Sequence, residues 1–149
     1  LKLALYSSIL HLCLGEPSKA RKSMKKILGS DKSFHTLPSY KTARLVNLLI
    51  QAELGNYDFF ANEVSSIKRT ISYEKQMYIT EKLLFRFLMA HPLPIYRKDR
   101  EKLWAQYQKD ITRIRQDKYE KQLLKTFDFT AWIESKLTNI PFREILYSE

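Results

Sequence analysis

Ser7, Ser8 and His11 stand within one helical turn of each other, hydroxyls beside an imidazole, the types that a nucleophile and its general base would need. The same residues read as the polar side of an amphipathic helix, which is the reading adopted. His11, His35 and His91 are dispersed, and none pairs with Cys13 at a metal-ligand spacing. Glu53, Asp58 and Glu63 are close in sequence, but two of them flank a turn and read as end-capping and solvation. Glycines at 15, 29 and 55 are too scattered for a phosphate-cradling loop. The expectation is a protein that is not an enzyme, with no catalytic residues, no metal and no cofactor.

Basic residues offer a second kind of chemistry. Lys19, Lys22 and Lys26 fall at i, i+3 and i+7, with Arg21 and Lys25 beside them. Further on, Lys102, Lys109 and Arg113 form a similar stripe, with Trp104 and several tyrosines near enough to stack on bases. Such stripes can track a phosphate backbone. Asp99, Glu101, Asp110 and Asp117 are interspersed, however, and Asp110 with Arg113 or Asp117 with Lys121 would make ordinary intrahelical pairs. A solvated outer face is therefore preferred, with nucleic-acid binding as the alternative. The net charge of +10 is uneven. Residues 1–33 hold seven Lys/Arg against two acids, residues 97–126 hold ten against five, and 127–149 hold two against four.

These side chains need elements to carry them. Apolar residues recur at helical spacing nearly throughout, with no sustained alternation. A first helix covers about 1–14, with Leu5, Ile9 and Leu12 inward, and Gly15 is its left-handed stop. Pro17 opens a second helix that runs to about Leu28 and buries Ala20, Met24 and Ile27. A loop follows, closed by Thr36 or Ser39 as the next N-cap. The third helix, about 39–54, turns Leu45, Leu48, Leu49 and Ala52 inward; the fourth, about 57–71, buries Phe60, Val64, Ile67 and Ile71. Ser72 caps a fifth helix of about 73–91 carrying Met77, Leu84, Phe87 and Leu88, which "HPLP" at 91–94 breaks. A sixth, about 97–126, shows Leu103, Tyr107, Ile111 and Ile114 on one side and kinks or breaks near Gln116–Tyr119. Asp128 or Thr130 caps a short helix in "FDFTAWIESKL", and Pro141 opens a last turn. Aromatic residues such as Tyr57, Phe59, Phe60, Phe85, Phe87 and Trp132 read as packing rather than ligand contacts.

Sliding residues 3–28 forward by 40 exposes a repeat. Gly15 falls on Gly55, Leu5 on Leu45, Ile9 on Leu49, Leu14 on Leu54, Met24 on Val64 and Ile27 on Ile67. Pro17 falls on Tyr57, so the second and fourth helices should start in register. The unit is a helix, a tight glycine turn and an antiparallel helix, which buries its apolar face only by stacking.

"LGEPSKA" at 14–20 with Met24 and Ile27, and "LGNYDFF" at 54–60 with Val64 and Ile67, resemble the tetratricopeptide (TPR-like) helical repeat. Gly15, Ala20, Gly55 and Tyr57 match its pattern, while Phe60 stands where that family has a small residue and Lys32 where it has a closing proline. The ending "FDFTAWIESKL" with a later "PF" resembles the C-terminal part of uncharacterised bacterial TPR-like proteins. The resemblance implies an all-α, right-handed solenoid of about three antiparallel hairpins plus a short C-terminal capping helix. Its units would be about 1–30, 39–71 and 73–126, with the cap at 128–149, in one helical-repeat domain. It also implies a concave groove lined by first helices. Ser7 and His11, then Arg44, Asn47 and Gln51, then Lys75, Tyr78, Lys82 and Arg86 would face that groove. The expected function is a scaffold that binds a protein or peptide segment, acidic by charge complementarity.

The single Cys13 favours a reducing compartment such as the cytoplasm, and no apolar run approaches the length of a membrane span. "LKLALYSSIL" opens without an initiator Met and with an apolar pattern already running, so the chain reads as part of something longer. Self-association through this exposed first helix is a further expectation.

Overall fold

The computed structural model describes residues 2–30, 32, 37–73 and 77–147, with side chains left aside at 71–73. His35, Thr36, Lys75 and the side chains of Ile71 and Ser72 therefore lie outside the described residues. Among the described residues the structure is all helix, with no strand. The elements are α1 (Lys2–Cys13), α2 (Pro17–Leu28), α3 (Pro38–Glu53), α4 (Phe59–Tyr73), α5 (Ile79–Met89), α6 (Arg97–Gln116), α7 (Lys118–Leu124), α8 (Phe129–Thr138) and α9 (Phe142–Tyr147). They form two compact units, Leu1–Tyr73 and Glu74–Glu149.

In the first unit α1 packs on α2, α2 and α1 on α3, and α3 on α4. Both glycines that close first helices are left-handed, Gly15 at φ +75° and Gly55 at φ +78°. Their hydrogen bonds repeat 40 residues apart. Gly15 N–H donates to the Leu12 carbonyl and Glu16 N–H to His11; Gly55 N–H donates to Ala52 and Asn56 N–H to Gln51. Each pair is a Schellman motif, which satisfies carbonyls that the helix end would leave orphaned. Open space surrounds the position of a Cβ at either glycine, so a side chain there would meet backbone strain alone. Gly55→Val is expected to destabilise the chain by about 1–2 kcal/mol in urea unfolding, and an unchanged midpoint would contradict the turn.

Helix starts match where a proline sets them. Pro17 opens α2 because its fixed φ suits the first turn and its missing N–H has no partner to lose. Position 57 has no proline, and α4 starts two residues later than the register equivalent, after turn bonds from Phe59 to Asn56 and from Phe60 to Tyr57. Pro38 likewise opens α3, with Leu37 in extended backbone as its cap, so Ser39 lies inside the first turn rather than capping it. The expected core is largely found. Leu5, Leu12, Ala20, Met24, Ile27, Leu45, Leu48, Leu49, Phe60, Val64 and Ile67 are buried, while Ile9 and Ala52 are half-buried. Burying each large aliphatic among them stabilises by about 1.5–3 kcal/mol before ordering entropy is deducted.

The second unit departs further from expectation. α4 continues through Tyr73 and α5 opens at Ile79, so no helix starts at 73. α6 ends at Gln116, where the break was expected. Asp117 leaves helical backbone there, and its carboxylate accepts from the N–H groups of Tyr119 (2.8 Å) and Glu120 (3.2 Å) to start α7. Asp128 caps α8 by accepting from Ala131 N–H at 3.1 Å. α8, expected only as a cap, packs against α5, α6 and α9 and places Trp132 at the centre of the unit. Leu84, Phe87, Leu88, Tyr107, Ile111 and Ile114 are also buried, Phe87 against the indole, whereas Met77 and Leu103 are half-buried.

Candidate partner-binding surfaces

The hydroxyls of α1 have structural partners. Ser8 is fully buried and its Oγ donates to the Ala20 carbonyl at 3.0 Å, while Ser7 and Ser23 share a hydrogen bond of 3.0 Å. His11 Nδ1 lies 3.5 Å from Glu16 Oε1. Lys19, which reaches the same carboxylate at 2.7 Å, and His11 together lower the Glu16 pKa from its ordinary value. Serines and histidine thus point to three different partners. Cys13 is half-buried, and desolvation raises its thiol pKa, which reduces thiolate at neutral pH.

On α3 the expected groove stripe turns inward. Arg44 Nε donates to Glu63 at 3.0 Å, Nη2 to Ser66 at 2.9 Å and Nη1 to Thr70 at 3.4 Å, clamping α3 to α4. Asn47 and Gln51 are buried, and Gln51 accepts from Asn56 Nδ2 at 2.7 Å in the adjoining turn. The expectation that Arg44 is a solvent-facing recognition residue is therefore corrected. A polar side chain on a helix covered from two sides satisfies itself on its neighbours.

In the second unit, Tyr78 is half-buried and stacks on Tyr119 with ring centroids 4.3 Å apart. Burial, then Tyr119, Glu81 and Glu120, raise its pKa. Lys82 is exposed. Arg86 is also exposed, pairs with Asp110 at 3.0 Å and lies over the Tyr107 ring, so Asp110, expected to pair within its own helix with Arg113, meets α5. Lys22 and Lys26 on α2, and Lys102, Lys109 and Arg113 on α6, are exposed as the basic-stripe reading requires.

Two features of this unit escaped sequence reasoning. Glu120, on α7, is 1 % exposed and accepts from Thr80 N–H at 2.7 Å and Thr80 Oγ1 at 2.9 Å. Glu81 accepts from Tyr78 N–H at 2.9 Å. Two carboxylates thus satisfy donors at the α5 N-terminus, where the helix dipole favours negative charge. Only the Glu81 half had a local signal, its place three residues after the cap.

The second feature is a cleft of about 490 Å³ between the start of α6 and the end of α8, lined by Ile95, Arg100, Trp104, Leu137 and Asn139 among others. Arg100 is fixed there, Nε donating to the Pro94 carbonyl at 2.7 Å and Nη1 to Asn139 Oδ1 at 3.0 Å. Asn139 can supply that oxygen because it ends α8 in the left-handed conformation that asparagine tolerates, at φ 59°. Arg97 and Glu101, paired at 3.0 Å, also line the cleft, so two guanidinium groups and one carboxylate stand beside an indole and two aliphatic side chains, a lining that suits a carboxylate with an apolar neighbour. Trp104, half-buried in the wall, is thus a cleft residue.

The class that these features define is an all-helical protein whose adjacent helices pack pairwise. No family model, curated protein or solved structure matches the chain. Among the described residues, no helix is long and apolar enough to cross a membrane, and no three His, Cys, Asp or Glu side chains gather as metal ligands.

Proposed function

We propose that the chain is a TPR-like, right-handed solenoid segment acting as a non-enzymatic scaffold for an acidic peptide or protein segment. The observation that carries the ligand class is the fixed Arg100 guanidinium facing a cleft walled by Trp104, Ile95 and Leu137. The repeat reading is supported by the duplicated glycine turns. Recognition in this proposal shifts from the α3 stripe, which is consumed by packing, to the second unit. There a peptide carboxylate takes the Arg100 fork, and the adjacent apolar side chain lies on the indole. Lys82 and Arg86 on α5 remain as exposed members of the stripe first expected to line a groove, Arg86 in a pair with Asp110. The single thiol fits a reducing, cytoplasm-like setting.

A fluorescent peptide of alternating Glu and Leu supplies the probe, with circular dichroism confirming that each variant is folded. Arg100→Gln should weaken its binding at least ~10-fold, as expected for loss of a charge-assisted pair. Lys22→Glu with Lys26→Glu should leave affinity within about twofold, and salt dependence should be shallow because few charges are neutralised together. If Lys82→Glu abolishes binding and Arg100→Gln does not, the α5 stripe is the site. Tight, steeply salt-dependent binding of a single-stranded RNA, lost in the Lys22/Lys26 variant alone, would replace this reading with the nucleic-acid one.

A further inference from the structure

Leu3, Tyr6, Leu10 and Leu14 are exposed by 86, 55, 57 and 55 %. Their spacing of three, four and four sets them along one side of α1 and its end, turned away from buried Leu5, Ser8 and Leu12. One exposed leucine is ordinary, whereas four at helical spacing form a contiguous apolar face.

The internal repeat says what belongs on that face. Moved forward by 40, the four positions become Ala43, Val46, Ile50 and Leu54. The first three are 0 % exposed and Leu54 is half-buried. α3 is packed by α1, α2 and α4. The Arg44 bonds to Glu63 and Ser66 mark the side that α4 takes; helical spacing sets Ala43, Val46 and Ile50 on another side of α3, so their burial is assigned to the α1–α2 hairpin, which also packs on α3. The α1–α2 hairpin therefore covers on α3 the face that lies open on α1.

We infer that this face of α1 is a stacking surface for one further helical hairpin of the same kind, an antiparallel pair presenting an aliphatic face. It continues the α2–α3 interface by one period, and it rests on the repeat relation proposed above but needs no peptide ligand. Failure of the Arg100 test would leave it standing.

The test duplicates residues 1–40 in tandem ahead of the chain's own α1. The added hairpin then stands to α1 as α1–α2 stands to α3. The longer chain should be monomeric, melt at least ~5 °C higher and bind less of a dye specific for exposed apolar surface. Leu10→Lys in the original α1 should erase the gain, whereas the same change in the added α1 should not. In the parent chain, Leu3→Lys with Leu10→Lys should lower dye binding without lowering Tm. A loss of Tm in that parent variant would overturn the inference, since the face would then be core. An unchanged Tm after duplication would overturn it too. A parent dimer dissociated by Leu10→Lys, with no gain from duplication, would assign the face to a second copy instead.

Discussion

Trp132→Ala is expected to lower stability by about 3–5 kcal/mol, the largest effect of any single change considered, read from the urea midpoint by far-UV circular dichroism. The indole is 2 % exposed and meets Phe87 edge-on, with ring centroids 5.6 Å apart at 89°. Phe87 in turn meets Tyr107 edge-on at 5.6 Å. One aromatic chain thus ties α8 to α5 and α5 to α6. Truncation removes the transfer free energy of the ring and leaves a void that rigid neighbours fill only in part. Trp132→Phe should recover much of the loss. A midpoint shift below ~1 kcal/mol for alanine would mean that α8 is a peripheral cap after all.

Glu120→Ala should cost about 2–3 kcal/mol, and Glu120→Gln distinctly less. Alanine leaves the N–H and hydroxyl of Thr80, a fully buried residue, without their shared acceptor. Glutamine keeps a carbonyl oxygen that can accept from both. Paired denaturation curves provide the comparison. Equal losses for the two variants would indicate that charge at the start of α5, rather than hydrogen bonding, is what Glu120 contributes.

These two residues also show where reading from sequence succeeds and where it fails. Trp132 read as packing rather than a ligand contact because a large aromatic ring carries much apolar area to bury, and it is buried. Gly15 and Gly55 were legible as turns because only glycine adopts positive φ freely, and Asp128 because a short acceptor at a break points to a new helix; the break near Gln116 was legible too, but Asp117 was read as a partner for Lys121 rather than as the cap of α7. Glu120 was not legible. Its burial depends on α7 meeting the start of α5, forty residues earlier, and nothing local reports that. Arg44, Asn47 and Gln51 misled for a related reason. Polarity says that a side chain needs partners, not whether water or Glu63, Ser66 and Asn56 will supply them. The Arg100 cleft was hidden because its parts come from Pro94, α6 and the end of α8. The open face of α1 has the reverse problem. An apolar pattern predicts burial, and Leu3, Tyr6, Leu10 and Leu14 carry the pattern without the cover.

The way each unit is closed sets how its chain can change by duplication and loss. In the first unit, helices touch near neighbours in order, α1 with α2 and α2 with α3. On the repeat reading proposed above, a forty-residue period could be added or removed there without rerouting the rest, and ordering could begin at either hairpin at little loop entropy. The second unit is closed by a return of the chain, because α8 comes back across α5 and α6 and Arg100 reaches Asn139, 39 positions on. A period cut from its middle would leave α8 with nothing to fold against, so this unit changes by substitution while the first can change by copying.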